Sequence, residues 1–430
     1  MDMCIDKLYR LFIRHPNIIT DSRTVAENGI FFALKGNSFD GNRFAAQALE
    51  NGAACAVVDD AETVKDNRYI LVTNVLTALQ DLARMHRRKS DIPVIALTGT
   101  NGKTTTKELI KSILSTKYDT LATEGNLNNH IGVPLTLLRI NRHTQIAVIE
   151  MGANHQGEIK TLCDIALPTH GLITNIGKGH LEGFGSEEGI KQTKKELYDY
   201  LSTHNGTIFY RETNPVLATL LADSPAIRIA YGSVCSGTAL AAAPFLQMNL
   251  NIAGVDYTVQ TQMAGAYNLE NVLAATCTGS FFGISPKQIV TALSGYLPQN
   301  NRSQIVQTAR NRLLVDYYNA NPTSMSASLT DFFDRMTGDK MVILGDMFEL
   351  GEAALAEHQA IVDLLAARRE VVGIVTGKYF SLAAKNHPTV LAFEETGALK
   401  EWLSRKPPCG KTILIKASRA MKMEQIQELL

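Results

Sequence analysis

Long apolar runs are absent from this sequence of 430 residues, and no stretch approaches the ~18 apolar residues of a membrane-spanning helix. The opening residues, MDMCIDKLYRLF, carry Asp2 and Asp6 and lack the apolar core of a signal peptide, so we expect no secretory leader. The sequence also has no excess of positive or negative charge, because 42 basic residues balance 42 acidic ones. A chain without net charge offers no broad basic face, and we therefore expect no nucleic-acid partner.

Cysteine pairs at metal-binding or redox spacing are also lacking. The six cysteines are scattered without a Cys-x-x-Cys, which is typical of a reducing cytosol and indicates neither a disulfide framework nor a zinc site. Apolar residues are present in normal measure, since 45% of the chain is hydrophobic and 20% is charged. At this length we expect two or three globular domains in a cytoplasmic protein that acts as a monomer.

One stretch, PVIALTGTNGKTTTK from Pro93 to Lys107, predicts a phosphate-binding loop. The apolar run 94–97 has the character of a strand buried on both faces, the glycines break that pattern, and helical spacing begins at Lys103. In this context backbone N–H groups and a helix N-terminus surround phosphate oxygens, so we expect ATP or another nucleoside triphosphate. The predicted contacts are Gly99, Thr100, Asn101, Gly102, Lys103, Thr104 and Thr105.

Within this loop, Lys103 is expected to reach the β- and γ-phosphates and the Thr104 hydroxyl to bind Mg²⁺. The loop departs from the general G-x-x-x-x-G-K-[ST] pattern, because the position five before Gly102 is Leu97 rather than glycine. The alternative is a chance Gly-Lys-Thr at a strand–helix turn. The flanking strand and helix favour the phosphate loop.

Candidate metal ligands follow the next two predicted strands. Glu150 ends the apolar run 147–150, and in an open parallel sheet that end of a strand faces the ligand crevice. Its carboxylate oxygens suit Mg²⁺. The predicted strand 171–175 leads to His180. From the residues alone, His180 is either a metal ligand or an ordinary loop histidine, and the loop histidine is favoured.

The last part of the chain alternates strands and helices, as a doubly wound sheet does. Polar clusters follow three of its predicted strands. Several such clusters at one sheet edge indicate a ligand site. The candidate residues are Asn319, Asn321, Asp346, Glu349, Lys416, Ser418 and Arg419.

Together these segments resemble the Mur ligases, which form amide bonds at the expense of ATP. The loop TGTNGKTT, EMGAN from Glu150, TNIGKGHLEGFGS from Thr174 and KKE ending at Glu196 match the order and spacing of that family. The resemblance implies an α/β protein of three domains: a small N-terminal α/β domain for a UDP-sugar-peptide, a central P-loop mononucleotide-binding domain with a parallel sheet, and a C-terminal Rossmann-like doubly wound domain for the acceptor. We place them at residues 1–88, 89–298 and 299–430.

The resemblance also implies ligand residues. Two Mg²⁺ ions are expected, and a lysine carbamylated by CO₂ would serve as an anionic ligand. The implied metal set is Thr104, Glu150, His180 and Lys194, with Lys191 and Lys195 as rivals of Lys194, and the implied catalytic set is Lys103, Glu150, His180 and Lys194. Further ATP contacts would come from Asn268, Asn271 and Arg302. The UDP-sugar-peptide would be held by Ser22, Arg23, Asp40, Gly41, Asn126 and Asn129.

The late clusters narrow the choice within the family. YNANP at 318–322, LGDMFELG at 344–351 and KASR at 416–419 are similar to the member that adds D-alanyl-D-alanine to UDP-N-acetylmuramoyl-tripeptide. An Asp-Asn-Pro-Arg motif, expected where the third amino acid is added, is absent. One departure is Tyr317, where relatives usually have serine. The implied product is the pentapeptide precursor of peptidoglycan, and both implied substrates are small molecules.

Two alternatives stay open. A folylpolyglutamate synthetase shares the phosphate loop but not the YNANP cluster. A P-loop switch protein, which hydrolyses nucleotide to change partners, is more remote. The run LLVD at 313–316 superficially resembles the Walker B strand of such proteins, but they do not need the set of Glu150, His180 and Lys194.

Overall fold

The computed structural model describes residues 5–24, 27–179, 181–222, 224–232, 235–240, 244–299 and 301–430. Three α/β units follow one another along the chain, each built on a largely parallel sheet, so the predicted fold class is confirmed. The boundaries at residues 88 and 298 stay a prediction. In the described ranges, no helix combines the length and the apolar character that crossing a membrane requires.

The first unit is a small sheet with helices beside it. Its elements are α1 (Ile5–Arg14), β1 (Ile18–Ile19), β2 (Ile30–Phe32), β3 (Lys35–Gly36), β4 (Phe39–Asp40), α2 (Ala45–Glu50), β5 (Cys55–Val58), β6 (Tyr69–Leu71) and α3 (Val75–Arg88). The parallel strands lie in the order β1-β2-β5-β6. The sequence of residues 42–51 suggests one continuous helix, but α2 begins only at Ala45. The Asp40 carboxylate accepts the Asn42 N–H at 3.0 Å and starts a 3₁₀ turn there instead.

Helix α3 fastens the first unit to the second. The polar run from His86 to Asp91 has the composition of a linker, but the helix continues through Arg88. The buried Arg87 guanidinium donates to the carbonyl oxygens of Ala166 at 3.1 Å and Leu167 at 3.2 Å. These bonds offset the cost of removing the cation from water. The first half of the apparent linker is therefore an interface.

The central unit carries the second sheet. Its elements are β7 (Val94–Thr98), α4 (Lys103–Leu114), β8 (Thr120–Ala122), α5 (Gly132–Leu137), β9 (Ile146–Glu150), α6 (Glu158–Ala166), β10 (His170–Ile173), α7 (Leu181–Phe184), α8 (Glu187–Thr203), β11 (Thr207–Arg211), α9 (Pro215–Leu220) and β12 (Ile227–Tyr231). The six strands are parallel in the order β12-β11-β10-β7-β9-β8. All residues of β7 and β9 are buried, as their continuous apolar sequences require. The carboxyl ends of β7, β9 and β10 meet at one edge.

A small antiparallel sheet and two helices complete this unit. They are β13 (Cys235–Ala239), β14 (Gln247–Ile252), β15 (Val255–Gln260), α10 (Asn268–Phe281) and α11 (Pro286–Gly295). Strands β14 and β15 form an antiparallel hairpin. Its turn places Ala253 and Gly254 at φ +53° and +82°, the left-handed pair that a tight hairpin turn needs.

The third unit is doubly wound. Its elements are β16 (Gln304–Gln307), β17 (Arg312–Asp316), α12 (Pro322–Arg335), β18 (Asp339–Gly345), α13 (Ala354–Ala366), β19 (Val372–Thr376), α14 (Lys378–Ala383), β20 (Val390–Phe393), α15 (Thr396–Arg405), β21 (Lys411–Lys416) and α16 (Glu424–Gln427). The order is β16-β17-β21-β18-β19-β20, with β16 alone antiparallel. Separate apolar cores lie on the two faces of the sheet, one against α12 and α13 and the other against α15.

Candidate active site

A cleft of about 1270 Å³ lies where the three units meet. The first unit contributes Leu76 and Gln80 from α3, the central unit contributes the phosphate loop, and the third contributes residues that follow β17 and β21. Ligand pockets of single small molecules are typically ~300–1,000 Å³, so this cleft has room for more than one substrate.

The phosphate loop forms one wall of the cleft as the sequence predicts. Gly102 takes φ +79°, and a β-carbon there would lie 2.4 Å from Asn271 Oδ1, so the loop requires glycine. The Lys103 ammonium donates to the carbonyl oxygens of Gly99 at 2.7 Å and Thr100 at 2.9 Å. Burial lowers the pKa of Lys103 to about 8, with Glu150 opposing the shift and Arg302 adding to it.

Glu150 lies beside this loop with only 2% of its surface exposed. Its Oε1 accepts hydrogen bonds from Asn128 Nδ2 at 2.8 Å and Thr104 Oγ1 at 3.3 Å. Its Oε2 finds no hydrogen-bond donor among the described residues and lies 3.8 Å from the buried Lys107 ammonium. A buried carboxylate oxygen without a donor is costly, and a bound cation would satisfy it. Glu150 and Thr104 therefore suit a metal site.

Asn128 and Lys107 were not among the predicted site residues. Asn128 belongs to the amide-rich segment GNLNNHIG that begins at Gly125, and that composition was the available signal. Lys107 follows Lys103 by four positions on α4, a spacing that puts both on one side of a helix. Its burial against Glu150 depends on packing that the sequence does not display.

Of the three candidate lysines on α8, Lys194 is the buried one, with 2% exposure. Its Nζ lies 5.3 Å from the centre of the Phe184 ring. Burial, together with the positive charge of Lys103, lowers the pKa of Lys194 to about 7. Lys191 and Lys195 instead pair on the helix surface with Glu188 and Asp199.

The remaining predicted metal ligand, His180, lies outside the described residues. Within the residues that the structure does describe, no group of three or more histidine, cysteine, aspartate or glutamate side chains is arranged to hold a metal ion.

Glu196, two positions after Lys194 in the Lys-x-Glu segment, has a structural role. Its carboxylate accepts the backbone N–H groups of Gly157 at 2.7 Å and Lys160 at 2.8 Å, at the start of α6. A carboxylate is favourable at a helix N-terminus because it satisfies unpaired donors there. Glu196 thus fixes α8, which carries Lys194, against α6.

The predicted adenosine-side residues also line the cleft. Asn271 Nδ2 donates to Asn268 Oδ1 at 2.8 Å, and Asn271 Oδ1 accepts from Thr106 Oγ1 at 3.1 Å, so these amides tie α10 to α4. The Arg302 guanidinium lies 3.8 Å from the centre of the Tyr318 ring. Its buried Nε has no hydrogen-bond partner in the described part of the chain.

Four of the predicted acceptor residues line the opposite wall: Asn319, Asn321, Lys416 and Arg419. Lys416 is buried and its ammonium is paired with the Asp316 carboxylate. The Arg419 side chain is 58% exposed and lies 3.6 Å from the Glu424 carboxylate. This wall therefore offers amides and cations toward the phosphate loop.

Asp346 is not among the residues that line the cleft, and its role in the acceptor site stays a prediction. The side chain is 2% exposed, and its two oxygens accept the N–H groups of Tyr379 at 3.0 Å and Phe380 at 2.9 Å. A β-carbon at Gly377, where φ is +118°, would lie 2.3 Å from the carboxylate carbon. The carboxylate thus caps the start of α14 and supports the neighbouring strand end instead of facing the cleft.

Ser418, Glu349 and Tyr317 are also not among the residues that line the cleft. Ser418 Oγ accepts the Phe348 N–H at 3.2 Å inside the third unit. Glu349 is exposed at φ +63°, outside the cleft lining, and its carbonyl oxygen accepts the Glu182 N–H at 3.3 Å. The Tyr317 hydroxyl donates to Gln427 from within the core, so this departure from the usual serine lies away from the cleft.

The six residues predicted for the UDP-sugar-peptide fall into two groups. Asn126 and Asn129 line the cleft. Ser22, Arg23, Asp40 and Gly41 lie in the first unit and are not among the lining residues. The Arg23 guanidinium is exposed there and pairs with Asp21 at 2.7 Å.

Three family descriptions match successive parts of the chain. The catalytic domain of the Mur ligase family matches residues 16–95, the Mur ligase middle domain matches 97–279, and the glutamate ligase domain of Mur ligases matches 301–419.

Individual relatives extend over nearly the whole chain. The UDP-N-acetylmuramoyl-tripeptide–D-alanyl-D-alanine ligase of Bacillus subtilis is 35% identical, covering 95% of this chain and 92% of the relative. The protein of the same name from Escherichia coli is 32% identical with the same coverage.

Two solved structures show the same likeness in three dimensions. A crystal structure of MurF from Acinetobacter baumannii is 32% identical, with a TM-score of 0.87 over 96% of this chain and 92% of that one. The structure of MurF ligase from Thermotoga maritima in complex with ADP is 26% identical, with a TM-score of 0.85 over 96% of both chains.

Proposed function

Since this chain belongs to the Mur ligase family, we propose that it is an ATP-dependent ligase that joins D-alanyl-D-alanine to UDP-N-acetylmuramoyl-tripeptide. The observation that carries the proposal is the likeness, over more than nine tenths of the chain, to relatives named for that reaction. The geometry agrees, because one cleft holds both the phosphate loop and the amides Asn319 and Asn321 of the third unit.

The chemistry requires activation, since a free carboxylate is a poor electrophile. The terminal carboxylate of the tripeptide attacks the γ-phosphorus of ATP, forming an acyl phosphate and releasing ADP. The amine of D-alanyl-D-alanine then attacks the acyl carbon, the C–N bond forms, the bond to phosphate breaks, and the amine loses a proton. Such a reaction depends mainly on positioning and on neutralising charge.

Two cations of the cleft are suited to the phosphoryl group. Lys103 leaves its loop carbonyls and donates to the β- and γ-phosphates. Arg302, whose Nε has no partner in the described residues, approaches from the joint between the second and third units. Both act on negative charge that grows on the transferring group.

Residues suited to Mg²⁺ stand next to these cations. Thr104 and Glu150 would hold one ion, and Glu150, His180 and a carbamylated Lys194 would hold a second. When bound, the metal neutralises phosphate charge and fixes its orientation. The unsatisfied Glu150 Oε2 supports this assignment, and the burial of Lys194, unlike that of Lys191 or Lys195, favours it as the carbamate.

The donor substrate is long enough to extend beyond the cleft. We infer that its peptide end lies beside Asn126 and Asn129, because both residues line the cleft together with the phosphate loop. Its UDP end lies on the surface of the first unit, at Ser22, Arg23, Asp40 and Gly41. We infer that the protein acts as a cytoplasmic monomer.

Acceptor choice is the test of this function. Purified protein with ATP, Mg²⁺ and UDP-N-acetylmuramoyl-tripeptide should release phosphate readily with D-alanyl-D-alanine. With D-alanine, L-lysine or glutamate at equal concentration, release should be at least about tenfold slower, because a single amino acid leaves an amide-reading group unpaired. Turnover with glutamate on a folate, and none with the dipeptide, would support a folylpolyglutamate synthetase instead.

Phosphate release that is equally fast without any acceptor would support a switch protein. One sequence feature bears on that alternative: Thr116 to Asp119 read TKYD, which fits the Asn/Thr-Lys-x-Asp pattern of guanine recognition. These residues follow the far end of α4, about 18 Å from the phosphate loop for a helix of this length, and do not line the cleft. Their position argues against a guanine site.

A further inference from the structure

His358 lies on helix α13 inside the third unit with none of its surface exposed, and both nitrogens of its ring have hydrogen-bond partners. Nδ1 lies 2.6 Å from the carbonyl oxygen of Ala354, one turn earlier in the helix. Because a carbonyl oxygen can only accept, Nδ1 carries the ring hydrogen and Nε2 is left as an acceptor. Nε2 accepts the backbone N–H of Met347 at 3.0 Å. The ring is therefore neutral, and its tautomer is fixed.

The surroundings of the ring favour this neutral form. Burial lowers the pKa of His358, while the Ala354 carbonyl and the carboxylates of Asp346 and Glu357 oppose the shift. Asp346 Oδ1 lies 3.5 Å from Nε2, but this carboxylate already accepts two N–H groups at the start of α14. The Phe380 ring packs edge-on against the imidazole, with 4.5 Å between the ring centres. The imidazole thus serves the Met347 N–H as a neutral acceptor.

Met347 belongs to a bend of three residues, 346–348, that follows strand β18. Each backbone N–H of this bend is accepted by a different element. The carbonyl oxygen at the end of β19 accepts the first at 3.2 Å, His358 accepts the second, and Ser418 Oγ, which follows β21, accepts the third at 3.2 Å. Since a buried backbone N–H without an acceptor is costly, these three partners together fix the course of the bend.

Ser418 connects the bend to the cleft. Its own N–H donates to the carbonyl oxygen of Asp346 at 3.2 Å, so that two hydrogen bonds join Ser418 to the bend. Its Oγ also donates to the carbonyl oxygen of Ala320 at 3.4 Å. Ser418 is buried between Lys416 and Arg419 in the sequence, and both of these line the cleft. The polar clusters that follow β17, β18 and β21 therefore meet at Ser418.

We propose that His358 is a positioning residue that fixes the bend at 346–348 and, through Ser418, holds the neighbouring cleft residues in place. Lys416 and Arg419 are these neighbours, and His358 itself lies behind them in the core. The effect on acceptor binding rests on the proposed ligase function, whereas the effect on the Ser418 N–H in the free protein does not.

Two substitutions separate the roles of the two ring nitrogens. Asparagine places its amide where Nδ1 lies, so His358→Asn keeps a donor for the Ala354 carbonyl oxygen but does not reach Met347. Glutamine is one bond longer, and its amide oxygen can accept the Met347 N–H in place of Nε2. We expect His358→Asn to show the effects described below and His358→Gln to remain close to the parent protein.

The first measurement is hydrogen–deuterium exchange of the free protein, read at the Ser418 N–H. In His358→Asn this group should exchange about fivefold faster, as expected when one supporting hydrogen bond is lost. The amides in the middle of β21 (Lys411–Lys416) should keep their protection, because the sheet itself is unchanged. In His358→Gln the Ser418 N–H should stay protected.

The second measurement is steady-state kinetics with each substrate varied in turn. His358→Asn should raise the KM for D-alanyl-D-alanine about five- to tenfold, since the acceptor wall loses its support, and should leave the KM for ATP unchanged. His358→Gln should restore the parental KM for the dipeptide.

Two control variants separate positioning from a general loss of stability. Leu365→Ala opens a cavity two turns further along the same helix, so it should lower the midpoint of unfolding and leave the KM for the dipeptide unchanged. His204→Asn tests the local helix bond alone, because His204 Nδ1 lies 2.8 Å from the Tyr200 carbonyl oxygen, again one turn earlier. It should change neither measurement.

Several results would overturn the inference. They are faster exchange at 346–348 with an unchanged Ser418 N–H, an unchanged KM for the dipeptide in His358→Asn, equal rises in the KM for ATP and for the dipeptide, and a His358→Gln variant that behaves like His358→Asn. If His358→Asn does not fold, His358→Phe replaces it, since it keeps a ring against Phe380 and lacks both nitrogens. Faster Ser418 exchange in a protein that does not ligate would leave the inference standing and refute the proposed function.

Discussion

The two sheet edges that meet at the cleft differ in how they use their polar residues. At the edge of the central unit, Thr104 and Glu150 line the cleft, as their positions after buried strands predict. At the edge of the third unit, Asn319 and Lys416 do so, whereas Asp346 turns inward. The strands that lead to these residues are parallel in both sheets, and both edges are carboxyl ends, so this position alone does not bring a side chain into a site.

The difference lies in whether backbone N–H groups beside the carboxylate need it as a hydrogen-bond acceptor. Beside Glu150, the glycine-rich loop supplies its own turn, and Glu150 Oε2 has no donor in the described residues. Beside Asp346, the short helix α14 begins with N–H groups that need an acceptor, and the carboxylate provides it. A carboxylate at the end of a strand is therefore available to a ligand only where it does not accept the N–H groups of an adjacent helix start.

The largest expected effect belongs to the phosphate loop. Lys103→Ala removes a cation aimed at the transferring phosphoryl group, and deletion of such an electrostatic donor costs about 3–4 kcal/mol, or roughly 10²–10³-fold in turnover. Turnover at saturating ATP is the measurement. The matched control is Lys111→Ala, two turns further along α4, which should remain close to the parent protein. If Lys103→Ala kept near-parental turnover, the phosphate-loop edge of the central sheet would not belong to the catalytic site.

Lys194 should have the next largest effect. Lys194→Ala loses the proposed carbamate and is expected to retain about one hundredth of the activity or less, a loss typical of disrupted metal sites. Short carboxylic acids should partly restore activity, since they supply the missing anionic oxygen.

The surface lysines of the same helix are the controls for Lys194. Lys191→Ala and Lys195→Ala lose exposed ion pairs, which are worth little, and should stay active without added acid. Rescue of either of these variants, and none of Lys194→Ala, would transfer the carbamate to the rescued position.

The phosphate loop and the third unit illustrate what the sequence can predict. The phosphate loop is a contiguous pattern whose strand, glycines and helix all lie between Val94 and Leu114, and the structure keeps that local order. The doubly wound third unit follows from alternating strand and helix patterns in the same way. Local periodicity and turn chemistry are sufficient for both.

Other features depend on contacts that the sequence does not display. Arg87 has the composition of a linker residue, yet it joins two units through carbonyl oxygens some 80 positions away. The inward turn of Asp346 depends on the start of α14, and the hydrogen bond that Asn321 Nδ2 donates to Asn101 Oδ1 depends on how two units pack. Each is decided by tertiary geometry rather than by residue type.

An intermediate effect, on stability, is expected for Asp346. Asp346→Ala leaves two buried N–H groups without their acceptor and should lower the free energy of unfolding by about 2–3 kcal/mol, as measured by chemical denaturation. The control is Asp339→Ala at the start of β18, the strand that Asp346 follows. The Asp339 carboxylate is largely exposed and pairs with Lys411, and the expected change is within about 0.5 kcal/mol. Unchanged stability together with a raised KM for the dipeptide would restore Asp346 to the acceptor site.

The smallest effect is expected at Arg419, which lies on the outward side of the same edge. Its guanidinium is mostly exposed and only 3.6 Å from Glu424, so its loss should not change the free energy of unfolding by more than about 0.5 kcal/mol. In the cleft, however, a guanidinium can bind the carboxylate of the dipeptide through two parallel hydrogen bonds, which a lysine cannot do. Arg419→Lys should therefore raise the KM for D-alanyl-D-alanine about three- to tenfold and leave the KM for ATP unchanged. Equal rises in both KM values would indicate that Arg419 acts on the nucleotide side, and the outward part of this edge would then serve the same ligand as the phosphate loop.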